Sequence, residues 1–69
     1  MKQDHEVKVL FYDSEGKYEG HRIGETKKYL PLAIKEARRL MDQDRMGTYV
    51  SAEIRVAGKV VHAFNSTRT

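Results

Sequence analysis

Cysteine and tryptophan are absent from this 69-residue chain, and it holds a single proline. Without cysteine there is no disulfide staple and no thiolate metal site. The three histidines, His5, His21 and His62, lie far apart and lack a paired-ligand spacing such as HxxxH, so no metal or other cofactor is expected. No apolar run approaches the roughly 20 residues of a membrane span. The opening stretch, Met1 to Glu6, is polar and of mixed charge. No secretory signal is read there, and the expectation is a cytoplasmic protein with no membrane partner. Apolar types make up 39% of the chain and charged types 33%, one below and the other above the usual share of a globular domain.

The length allows one domain, residues 1–69, with 1–5 and 66–69 expected to fray. Below roughly 70–80 residues a single core seldom supplies more than about 3–5 kcal/mol of net stability. With disulfides and metals excluded, oligomerisation is the remaining common device, and a homodimer is expected on that ground. No internal repeat, low-complexity stretch or linker interrupts the chain.

Residues 6–13 alternate as a strand, with Val7, Val9 and Phe11 on one face and Lys8, Leu10 and Tyr12 on the other. Asp13-Ser14-Glu15-Gly16 is a turn signal. Lys17 to about Ile23 reads as a weaker second strand, in which Gly20 and Gly24 suggest a bulge or an early end. Residues 30–46 carry a helical stripe of Leu30, Ala33, Ile34, Ala37, Leu40 and Met41. Lys35, Glu36, Arg38, Arg39, Asp42 and Gln43 take the opposite side. Pro31 suits a first turn, Gly47 suits the position after a helix, and Arg45 suits the negative end of the dipole. Thr48 to Val56 alternates, with Tyr49, Ser51, Glu53 and Arg55 opposite the apolar side, and Lys59 to Asn65 returns as a fourth strand.

The order is ββαββ: an α+β two-layer domain, with a four-stranded antiparallel sheet covered on one face by a single helix. The expected core is Val7, Val9, Phe11, Ile34, Ala37, Leu40, Met41, Val50, Ala52 and Ile54. Two registers are open for the last hairpin. A two-residue turn at Ala57-Gly58 pairs Ile54 with Val61 and turns Val60, His62 and Phe64 away from the helix. A three-residue loop with Gly58 left-handed pairs Ile54 with Val60 and Val50 with Phe64. The second is favoured, because Ala57 in a type I′ turn needs a positive φ that its Cβ resists.

Catalytic patterns are missing. No GxSxG, HExxH, DxDxDG or GxxxxGK[ST] occurs, and Gly16 to Gly20 lacks the strand-then-helix setting of a phosphate loop. His21-Arg22 has the residue types of a base with an anion partner, and Glu19 and Glu25 lie nearby. Acid–base work needs such groups to converge in space. The expectation is a protein that is not an enzyme.

Charge is uneven. Residues 1–26 carry a net −2, residues 27–46 a net +3, and residues 47–69 a net +2. Lys27, Lys28, Lys35, Arg38 and Arg39 could meet nucleic-acid phosphates. Glu36 can instead pair with Arg39, and Asp42 with Arg38 and Arg45, as on any solvated helix face. The sheet face away from the helix should be polar, yet Leu10, Tyr12 and Tyr49 point there beside Arg55. Aromatics with arginine are the composition of protein interfaces. They also suit base stacking, but the glycine-flanked aromatic motif of sheet-based RNA readers is missing.

The favoured reading is a small binding or regulatory module. It acts through protein–protein contact, with itself or a partner protein, via the open sheet face or an edge strand. Leu10, Tyr12, Tyr49 and Arg55 are the expected interface. The alternative is nucleic-acid binding through the basic helix. A third reading is an inhibitor of a host protein, of the kind carried by phages and mobile elements.

Overall fold

The computed structural model describes residues 4–44 and 47–67. The elements are β1 (Glu6–Tyr12), β2 (Tyr18–Ile23), α1 (Leu30–Gln43), β3 (Tyr49–Val56) and β4 (Lys59–Thr67). The strands form one antiparallel sheet in the order β2-β1-β3-β4, and the helix packs across the two central strands. The domain is the expected α+β two-layer arrangement of ββαββ order. Among the described residues no helix is long and apolar enough to cross a membrane.

The central strands follow from their alternation. Val7, Val9 and Phe11 of β1 and Val50, Ala52 and Ile54 of β3 are paired residue for residue and buried beneath the helix. The helix contributes Ala33, Ala37, Leu40 and Met41. Ile34, expected at full depth, is half-buried at the margin, and Ala33 takes the close contact instead. Burying a side chain the size of Phe11 or Ile54 contributes about 1.5–3 kcal/mol. These few residues therefore carry most of the core.

The first hairpin is built on Asp13. Its carboxylate accepts the amides of Glu15 at 2.9 Å and Lys17 at 2.8 Å, while its carbonyl accepts that of Gly16 at 3.0 Å. Pairing then slips by one residue: Tyr12 faces Tyr18, but Phe11 faces Gly20, leaving Glu19 as the extra residue of a bulge. The chain ends expected to fray are paired further than that. His5 bridges Lys27 through two backbone bonds, and β4 runs through Thr67.

The helix starts where Pro31 allows. Tyr29 is the extended N-cap, and the first bond runs from the Ala33 amide to the Tyr29 carbonyl. It ends at Gln43, earlier than expected, with Asp44 as an extended C-cap. Gly47 is therefore not the helix terminator. Its φ of +79° serves the entry to β3, where a Cβ would stand 2.9 Å from the Tyr12 carbonyl oxygen. The Thr48 amide bonds that same carbonyl at 2.8 Å. The expectation for Arg45 lies outside the described residues.

The last hairpin takes neither expected register. Ala57 (φ +52°) and Gly58 (φ +81°) form a two-residue turn, and Val56 pairs with Lys59. The partner of Arg55 is Val60 and that of Ile54 is His62, so Val61 is an extra residue. Beyond this bulge, Ala52 faces Phe64. The turn holds its two-residue form because its twist matches that of the strands. The bulge then shifts the strand by one residue and returns Phe64 to the helix side. The strain of a left-handed Ala57, about 1–2 kcal/mol, is offset by that packing.

Candidate interaction surface

The same registers that bury one face of the sheet define the other. Four cross-strand rows lie on it. Tyr18, Tyr12, Tyr49 and Thr67 make the first, and His21, Leu10, Ser51 and Asn65 the second. Ile23, Lys8, Glu53 and Ala63 make the third, and Glu6, Arg55 and Val60 the last. No element covers this face among the described residues.

The four residues expected at an interface are therefore brought together. Tyr12 and Tyr49 are direct partners, Leu10 lies one row away, and Arg55 stands at the far end. Three residues of β2 extend the patch and were not assigned to this face from the sequence: Tyr18, His21 and Ile23. The bulge at Glu19 breaks the alternation between Tyr18 and the other two. Tyr18 packs edge-on against Tyr12, with ring centroids 6.0 Å apart at 65°. It also stacks on His21 at 6.4 Å, and its hydroxyl hydrogen-bonds the His21 ring nitrogen. Ile23 is 71% exposed, Tyr18 54% and Tyr49 43%.

Charges on this face balance. Arg55 donates to Glu53 at 2.9 Å, and Lys8 and Glu6 add one charge of each sign. The buried Nε of Arg55 has no acceptor among the described residues.

The basic residues of the helix region are arranged differently. Lys27 pairs with Glu25 at 3.2 Å. Arg39 grips Glu36 with Nε at 2.8 Å and a terminal nitrogen at 2.9 Å, and reaches Gln43 at 2.6 Å. Arg38 lies over the Phe64 ring, 5.5 Å from its centroid, instead of pairing with Asp42. Lys28 and Lys35 are exposed and make no ion pair among the described residues.

Glu36 was expected on the solvated side, yet it is 5% exposed. The Glu25 amide donates to it at 2.9 Å, so one carboxylate ties the link after β2 to the helix. The Arg39 hydrogen bonds and the Glu25 amide hold its pKa down at about 2, against an ordinary 4.5, and outweigh its desolvation. The same pair raises the pKa of Arg39.

His21 and Arg22 do not form one site. His21 projects from the open face, whereas Arg22 lies on the other side and donates to Asp44 at 2.7 Å. Among the described residues no three His, Asp or Glu side chains gather as a metal-binding group.

Fold and surface together define a two-layer α+β domain with one sheet face covered and the other open and aromatic. No family model, curated protein or solved structure matches the chain.

Proposed function

We propose that this chain is a non-enzymatic binding module that docks a partner protein on its open sheet face. One observation carries the reading: the Tyr18, Tyr12 and Tyr49 row runs unbroken across three strands, with Leu10 in the next row and Ile23 in the one after. Tyrosine gives a large contact area with few rotatable bonds and a hydroxyl for pairing at the rim, which is why it concentrates at hot spots. Here the tyrosines are contiguous, and they stand at one end of a face that is otherwise of mixed polarity, with Lys8, Ser51, Glu53 and Asn65 on it. The balanced charge of Glu6, Lys8, Glu53 and Arg55 suits a protein surface better than a polyphosphate backbone.

The test is affinity capture with quantitative mass spectrometry, comparing the wild type with Tyr12→Ala/Tyr49→Ala and with Lys28→Glu/Lys35→Glu. A partner held by the wild type and the lysine variant, and lost from the tyrosine variant, supports the reading. A partner that survives loss of both tyrosines overturns it.

A second reading rests on Lys28 and Lys35, two exposed lysines of the helix region that make no ion pair among the described residues. It is a nucleic-acid contact involving Lys27, Lys28, Lys35, Arg38 and Arg39. Fluorescence anisotropy with single- and double-stranded oligonucleotides decides it. Log affinity must fall with log salt, and the slope must shrink by about one for each phosphate contact removed. No binding at low salt ends it.

A further inference from the structure

The two edges of the sheet are built differently. β2 has six residues, is bulged at Glu19, and carries Glu19, His21 and Arg22. Shortness, bulges and charges are the devices that blunt an edge against further pairing. β4 is the longest strand, with nine residues and no proline, and its one charge is Lys59 beside the turn. Its bulge lies at Val61, so residues 62–67 run without interruption. An edge strand of this kind presents unpaired N–H and C=O groups to any strand of matching shape.

We infer that a second copy of this chain adds to β4, antiparallel about a two-fold axis, joining the two four-stranded sheets into one. Three observations favour a second copy as occupant. First, residues 60–67 are Val, Val, His, Ala, Phe, Asn, Ser and Thr, so two β4 strands meet with no like charges opposed. The antiparallel arrangement also sends the two Lys59 residues to opposite ends. Second, the ladder pairs only residues of like parity, so a two-fold that pairs five residues of the uninterrupted segment falls at Phe64 or Asn65. In each case the small, exposed Ala63 and Asn65 occupy one side of the junction, and His62 and half-buried Phe64 the other. Third, the helix packs across β1 and β3, which leaves the outer edge of β4 open. Pairing β4 with β2 instead would be head-to-tail, giving a ring or a filament in place of a two-fold dimer. This assignment uses none of the tyrosines, with Ala63 and Asn65 at the β4 margin of the same open face, and it leaves the two open faces side by side.

Sedimentation velocity on the full chain at tens of micromolar tests it. Two exposed double variants are compared with the wild type, Ala63→Lys/Asn65→Lys and Ala63→Glu/Asn65→Glu, with circular dichroism to confirm folding. For both axis positions these place like charges opposite one another. The wild type is expected to be a dimer, and each variant to lose about tenfold or more in dimer affinity. An equimolar mixture of the two variants is expected to recover the dimer as a mixed species. Tyr12→Ala/Tyr49→Ala is expected to dimerise as the wild type does. A monomeric wild type overturns the inference, as do charged variants that dimerise unchanged. A dimer lost only with the tyrosines also overturns it and moves self-association to the open face.

Discussion

Protonating Glu36 removes the one buried charge among the described core residues, and its cost can be worked from the structure. Its pKa falls from an ordinary 4.5 to about 2 in the folded chain. At about 1.4 kcal/mol per pH unit, the depression corresponds to no more than about 3 kcal/mol of stability. The Arg39 side chain is half exposed, so solvent screening reduces this to about 1–2 kcal/mol. The folded pKa lies below the unfolded one, so the contribution is complete above about pH 5. It is lost as pH falls from about 4.5 toward 2. Urea titrations of the wild type and Glu36→Gln between pH 7 and pH 2 measure it. The variant should be less stable by about 1–2 kcal/mol at pH 7, and the two curves should converge near pH 2. A large share of the roughly 3–5 kcal/mol available to so small a core is at stake. A difference that is independent of pH, or no difference at pH 7, would refute the role assigned to this carboxylate.

Two further substitutions probe the backbone. Gly24→Ala places a Cβ 2.8 Å from a Glu36 oxygen and 2.9 Å from a Leu40 methyl. It should cost about 1–3 kcal/mol in chemical denaturation, and much less in a Glu36→Ala background where part of the obstruction is gone. Ala57→Asn puts a residue tolerant of the left-handed region at φ +52°. It should stabilise the domain by about 0.5–1 kcal/mol, seen as a higher melting temperature.

The central layer was legible because its signals are local and agree. The alternation of Val7, Val9 and Phe11 matches that of Val50, Ala52 and Ile54, and the helical stripe supplies the facing surface. Sequence reading lost accuracy where one residue changes phase. The spacing of His21 and Ile23 puts them on one face, but Tyr18 joins them only when the Glu19 bulge is counted. Phe64 could be placed on either side while the turn at Ala57 was undecided. Glu36 was misplaced for another reason. A helical wheel assigns it to solvent, because it cannot show that Gly24 and Glu25 pass over that turn and bring an amide to the carboxylate. Among the basic residues, the Glu36 pairing with Arg39 was readable from its i,i+3 spacing. The turn of Arg38 toward Phe64 depends on β4 and was not.

Val61 has a consequence for how this domain could change. As the extra residue of β4, it sets the phase of everything after it. Deleting it would remove the bulge and leave Ile54 opposite His62 and Ala52 opposite Phe64. Taking Val61 into a straight ladder would instead exchange the two sides of residues 62–67. Phe64 would then leave the helix side for the tyrosine face, and Ala63 would enter the core in its place. Whether one residue stands inside the ladder or outside it thus separates two surfaces made from the same side chains.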